Sequence, residues 1–235
     1  MKVLMNRGVN QLVGVAVILF SLSSCISKSP KEIGEGRIEY DIEYDTLTLS
    51  RVDKKILPSS LIVRFYNNNT INTIDALSGA VTISIISQPA KKEFTTMLKI
   101  FNKKLYYSEP YTNGHYPALY ARIPKVNVDT LVKDFDYIGY KCKSVMGYFA
   151  DNPERKFEII YTKQIAIDNP NLNTPFESID GVMLGFNLRF NNVEMKLRAC
   201  NVTKENINAD AFKIPEDYKK VDFQTMTDLI YLLQQ

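Results

Sequence analysis

The sequence predicts an α+β, strand-dominated domain: a curved antiparallel sheet forming an incomplete β-barrel, with one or two covering helices. Three observations predict it. Apolar and polar residues alternate through many short segments, turn-forming residues punctuate those segments, and a run with helical spacing closes the chain.

The first strand is the clearest. In GRIEYDIEYD, Ile38, Tyr40, Ile42 and Tyr44 share one face, while Arg37, Glu39, Asp41, Glu43 and Asp45 share the other. LIVRFY (61–66) runs into Asn67-Asn68-Asn69, and AVTISIIS (80–87) lies between Ser78-Gly79 and Gln88-Pro89. DTLVKDF (129–135) reads as a short helix. KCKSVMGYF (141–149) and KFEIIY (156–161) flank a turn at 150–153 and form a hairpin. VMLGFNLRF (182–190) places Val182, Leu184, Phe186, Leu188 and Phe190 on one face. After Asn191-Asn192, Val193, Met195, Leu197 and Ala199 alternate in the same way. The closing run spaces Phe223, Met226, Leu229, Ile230 and Leu233 on one helical side, with Asp222 as N-cap. That stripe predicts packing on the sheet, a partner or lipid surface being the alternative.

Ahead of this domain lie only two charges, Lys2 and Arg7, and an apolar run from Leu12 to Leu22. Such a run is too short to span a bilayer and suits a secretory signal. Leu22-Ser23-Ser24-Cys25 resembles a bacterial lipobox, so residues 1–24 are expected to be cleaved and Cys25 to be lipidated. Residues 25–35 are polar, with Ser, Pro and Gly, and read as a tether. Residues 36–235 are expected to form one domain. Loss of the signal leaves 27 basic against 26 acidic residues, so the sequence pI of about 8.6 is no mark of nucleic-acid binding.

Beyond Cys25 the cysteines are Cys142 and Cys200. An oxidising compartment permits a disulfide between them. As members of successive meander strands they would lie three strand spacings apart, about 14 Å in a flat sheet, against the roughly 7 Å limit for bridged Cα atoms. Two buried free thiols are the competing reading.

Motifs for chemistry are sparse. The single histidine, His115, sits in the loop YTNGHYPALY without a second histidine or a ligand cluster, so no metal or other cofactor is expected. No G-x-S-x-G elbow and no phosphate-cradling glycine loop occurs. Glu39, Asp41 and Glu43 project together from one strand face, which is the pattern of a solvated face and not of paired glycosidase carboxylates. Tyr106, Tyr107, Tyr111, Tyr116 and Tyr120 crowd the neighbourhood of His115. They read as core filling or, alternatively, as a contact surface.

Four segments, 135–149, 158–167, 178–190 and 210–222, resemble in order a group of Bacteroidota envelope proteins of unassigned function. The group includes the GLPGLI family and is related to LolA/LolB-like lipoprotein carriers. Gly139-Tyr140-Lys141-Cys142 matches a recurrent strand start, and Phe212, Pro215 and Tyr218 match a closing Phe-x-x-Pro-x-x-Tyr pattern. Gly181-Val182-Met183-Leu184 falls where the family has Pro-Gly-Leu-Ile, with Asp180 in place of the proline. The resemblance implies a LolA/LolB-like half-barrel whose open side is covered by helices, a hydrophobic cavity between them, and no catalytic residue.

The expected protein is then a non-enzymatic, lipid-anchored envelope protein, at the outer membrane and facing the periplasm. Its half-barrel would bind a lipid or other apolar ligand, with Val182, Leu184, Phe186, Leu188, Met195 and Leu197 as candidate lining residues or, equally, as a closed dry core. A structural lipoprotein that recruits another envelope protein through the tyrosine-rich loop or a sheet edge is the second reading. A hydrolase with an unrecognised acid/base pair is the third. Asp45-Thr46-Leu47 and Asp129-Thr130-Leu131 resemble the short O-glycosylation signal of the same bacteria.

Overall fold

The computed structural model of the chain describes residues 33–44, 57–112, 115–190 and 193–233. The expected signal peptide, Cys25, most of the tether and Asp45-Thr46-Leu47 lie outside them.

Among the described residues twelve strands follow one another: β1 (Glu35–Tyr44), β2 (Ser60–Tyr66), β3 (Asn69–Ala76), β4 (Val81–Gln88), β5 (Glu93–Ile100), β6 (Lys103–Pro110), β7 (Val126–Tyr137), β8 (Tyr140–Phe149), β9 (Asn152–Thr162), β10 (Val182–Phe190), β11 (Val193–Thr203) and β12 (Lys219–Lys220). One α-helix, α1 (Phe223–Leu232), follows. All strands belong to a single sheet of order β12-β6-β5-β4-β3-β2-β1-β11-β10-β9-β8-β7. Two antiparallel meanders, β1 to β6 and β7 to β11, are thus welded where β1 pairs with β11. The edges, β7 and the two-residue β12, do not meet, so the sheet is curved and unclosed.

Turn chemistry explains the tight connections. Asn67 and Asn68 have φ of 48° and 63° and join β2 to β3 as a two-residue loop. Asparagine tolerates this left-handed geometry, which matches the strand twist. Between β7 and β8 the same role falls to Ile138 and Gly139, at φ of 43° and 86°.

The C-terminal half of the sheet is strongly curved. Tyr137 on the edge strand β7 donates its hydroxyl to the Ala199 carbonyl on β11 at 2.9 Å. Those strands are four places apart in the sheet, which would be about 19 Å if it were flat. Two bulges accompany the curl. Leu184 is the extra residue on β10 and Cys200 the extra residue on β11, and bulges increase local twist. Each bulge has a tyrosine on a neighbouring carbonyl: Tyr137 on Ala199, and Tyr40 on Met183 at 2.7 Å.

Two expectations need correction. Residues 129–135 are not a helix; they lie inside β7, paired with β8 through two register shifts. A β-branched residue stands at every second position from Val126 through Val128 and Thr130 to Val132, a period-two pattern that extends upstream of DTLVKDF. With that segment a strand, α1 is the one α-helix among the described residues. Finally, Cys142 and Cys200 are both free, and Cys142 is buried whereas Cys200 is exposed. The bulge at Cys200 leaves it outside the ladder, with its thiol pointing to the Glu39 carbonyl at 3.4 Å. The flat-sheet premise also fails, since the curl puts Tyr137 within electrostatic reach of both cysteines.

Order begins slightly earlier than residue 36. Ile33 already forms a parallel bridge with Ile165, and Glu35 opens β1. The C-terminal helix behaves as its spacing predicts: Asp222 accepts from the Thr225 N–H at 2.8 Å, and Met226 and Ile230 bury against Phe94 and Leu98 of β5. Leu233, at the end of the stripe, is exposed. Strands β3, β5 and β6 carry no clean alternation in the sequence. In β5 both faces are covered, so five consecutive residues from Phe94 to Leu98 are buried.

Candidate functional site

Two concavities deserve comparison by chemistry. The first is a cleft between the concave face of the sheet and two long connections, residues 111–125 and 163–181. Tyr40 of β1, Leu61 and Val63 of β2, Thr70, Asn72 and Ile74 of β3, and Ile83 of β4 form one wall. Val182, Met183, Phe186 and Leu188 of β10 form another. Leu119 and Tyr120 enter from the first connection, and Ile167, Pro170, Asn171, Thr174 and Phe176 from the second. About 90 Å³ is enclosed, and the cleft is partly open to solvent.

Aromatic contacts and amide hydrogen bonds hold these walls. Phe186 meets Tyr40 edge-on at 5.8 Å and Phe176 at 5.5 Å. Asn171 donates to the Ile179 and Gly181 carbonyls at 2.7 and 2.9 Å, folding the second connection on itself. Burial raises the Tyr40 phenol far above its ordinary value, with Tyr137 adding to it. Burial also pushes Tyr120 up to about 12 despite a hydrogen bond from Asn72. Both phenols therefore stay protonated at neutral pH. No Asp, Glu, His, Cys, Lys or Arg lines this cleft among the described residues.

The six candidate residues divide between two environments. Val182, Phe186 and Leu188 border the cleft. Leu184, Met195 and Leu197 are 0%, 2% and 0% exposed and belong to the packed core behind it. Alternation identifies the inward face but not how far along it the packing is complete.

The second concavity is an open groove beside α1, lined by His115, Tyr116, Ala121, Arg122, Phe223, Gln224 and Thr227. Here His115 has a partner that the sequence did not advertise. Glu109, at the end of β6 and only 3% exposed, accepts from the Ala118 N–H at 3.0 Å, and its other oxygen lies 2.8 Å from His115 Nε2. A single acid six residues before a histidine, next to Pro110, has no motif to find it by. The pair clasps the first connection, whose Leu119 and Tyr120 reach the cleft. Arg122 is engaged by Asp228 at 3.2 Å and stacks on Tyr231 at 4.1 Å.

Burial is the main influence on Glu109 and raises its carboxyl above the usual range, outweighing Ala118 and His115, which lower it. The folded chain then binds this proton more tightly than the unfolded chain does. Stability from this group accordingly rises as pH falls through its raised folded value toward the ordinary carboxylate value. Glu109→Gln, which keeps an acceptor for Ala118 but carries no charge, should remove that contribution to the pH dependence. Urea unfolding at pH 7 and pH 5 checks it: the wild-type gain on acidification should shrink in the variant, and an unchanged gain would refute the assignment.

The tyrosines around His115 are largely occupied internally. Tyr111 stacks on Phe94 at 4.1 Å and bonds Ser87, Tyr107 meets Phe223 edge-on, and Tyr120 faces the cleft. Among the described residues there is no cluster of three or more His, Cys, Asp or Glu fit to hold a metal, and no helix is long and apolar enough to cross a membrane.

No family model matches the chain, and no curated protein matches it. Among solved structures the chain is similar to PNGF-II, with a TM-score of 0.52 and 12% identity over 85% of this chain and 33% of that one. This chain therefore spans about a third of the length of the PNGF-II chain. At such low identity the likeness concerns the fold alone: a strand-dominated, curved and unclosed antiparallel sheet.

Proposed function

We propose that the chain is a non-enzymatic, lipid-anchored envelope protein that takes an apolar ligand into the cleft between the sheet and its two connections. The observation that carries this reading is the composition of the cleft: aliphatic and aromatic walls, a few uncharged polar groups and no acid, base or cation among the described lining residues. The enclosed 90 Å³ is small, below the roughly 150 Å³ of a dry cavity that takes benzene. The ligand would therefore insert one end, its remainder running toward the open side.

The lipobox-like Leu22-Ser23-Ser24-Cys25 supports the anchor, and the resemblance to GLPGLI and LolA/LolB-like proteins supports the envelope setting. Seven residues lie between Cys25 and Ile33, and the eight steps reach at most about 28 Å. Ile33 is bridged to Ile165, two residues before the cleft residue Ile167. A lipidated Cys25 would thus keep this end of the domain close to its membrane.

The test is mass spectrometry of organic extracts from protein purified without detergent from its native envelope, beside a mock-purified control. A stoichiometric apolar molecule absent from the control is the expected result. Protein that is repeatedly empty, and that takes up no apolar probe in solution, would rule the reading out.

A further inference from the structure

One atom in the cleft lacks what every buried polar atom requires. β3 turns Thr70, Asn72 and Ile74 toward the cleft, and Asn72 stands in register between Val63 of β2 and Ile85 of β4. Its side chain acts on the Tyr120 phenol, yet its Oδ1 is shut off from solvent and has no hydrogen-bond partner among the described protein atoms. A polar residue in the middle of an apolar sheet face costs stability, and an unpaired acceptor there adds to the cost. The fold gains nothing evident from placing it there.

Resting on the apolar-ligand reading above, we infer that Asn72 Oδ1 is the recognition atom of the cleft and that the ligand carries a hydroxyl or N–H at its inner end. The donor supplies the partner that Oδ1 lacks. The hydrocarbon part runs along Leu61, Phe186 and Leu188, and Tyr120, held protonated by its burial, keeps the amide oriented. The same geometry rejects a fatty-acid anion. A carboxylate has no proton to donate to Oδ1, and no Lys or Arg lines the cleft among the described residues to neutralise it. The ligand class is an apolar alcohol or amide.

A pair of isomers isolates the donor. 1-Hexanol and 1-methoxypentane have the same atoms and nearly the same shape, but only the alcohol has an O–H. Titrated into the isotope-labelled protein and followed by NMR shifts, 1-hexanol should bind about tenfold more tightly than the ether, and hexanoate should bind more weakly than either. In Asn72→Leu the alcohol-to-ether ratio should fall to about one while both isomers still bind. Tyr120→Phe, a gentler change that removes only the hydroxyl, should narrow the ratio, so the test stands even if Asn72→Leu fails to fold. Equal binding of the isomers by the wild type, or a preference that survives in Asn72→Leu, overturns the inference and leaves the apolar cleft standing. If neither isomer binds the wild type, the cleft reading falls with it.

Discussion

Phe186→Ala is expected to lower stability by about 3–5 kcal/mol and to widen the cleft at the same time. Phe186 is 7% exposed, stands opposite Leu197 in the β10–β11 ladder, and is clamped edge-on between Tyr40 of β1 and Phe176 of the second connection. Neither neighbour can collapse freely into the space. Tyr40 is tied to the Met183 carbonyl, and Phe176 sits in a connection closed by Asn171. A residual void on the order of 100 Å³ would account for about 2.4 kcal/mol of the loss, at ~24 cal/mol per Å³. Urea unfolding measures the loss, and benzene binding measures the void. Destabilisation below about 1 kcal/mol would mean that the aromatic trio is not a packed unit, and unchanged benzene affinity would mean that the space is not continuous with the cleft.

Gly36→Ala is expected to cost about 3 kcal/mol or more, although it adds a single methyl group. A Cβ at Gly36 would lie 2.3 Å from the Thr203 carbonyl oxygen and 3.3 Å from Phe65 Cζ, and its φ of 155° is one that L residues rarely adopt. The atom in the way is backbone, so no rotamer change relieves it. It also sits at the end of the β1–β11 seam, where the two meanders join. For a domain of this size the melting temperature should drop by roughly 6–12 °C. Gly34→Ala, where nothing lies within 4 Å, is the control and should be near neutral. Equal melting temperatures for the two variants would show that the seam relaxes around a methyl group.

Legibility in the sequence followed water. β1 and β11 present one wet face and one dry face, so alternation alone located them. β10 is buried at five consecutive positions, 184–188, yet its apolar residues still alternate in sequence, and that turned Val182, Phe186 and Leu188 inward. β5 is covered on both sides and loses the pattern, and in β7 the pattern was visible only when Val126 and Val128 were read together with 129–135. The cysteine distance argued from a flat sheet favoured two buried free thiols; both are free, but Cys200 is exposed, and the curl of β7 toward β11 removes the flat-sheet premise.

Local periodicity, turn residues and the Asp222 cap were therefore enough to determine a strand-dominated fold closed by one capped helix, because those signals depend on neighbours within a few residues. The site was decided elsewhere. Asn72 and Glu109 look in the chain like ordinary surface polar residues, and only the curvature of the sheet and the return of residues 111–125 and 163–181 across its concave face shut Asn72 Oδ1 off from solvent and bury Glu109. Contacts made over a hundred residues or more, such as Tyr40 with Met183, depend on how two meanders are welded along β1 and β11, and no short-range pattern encodes that pairing.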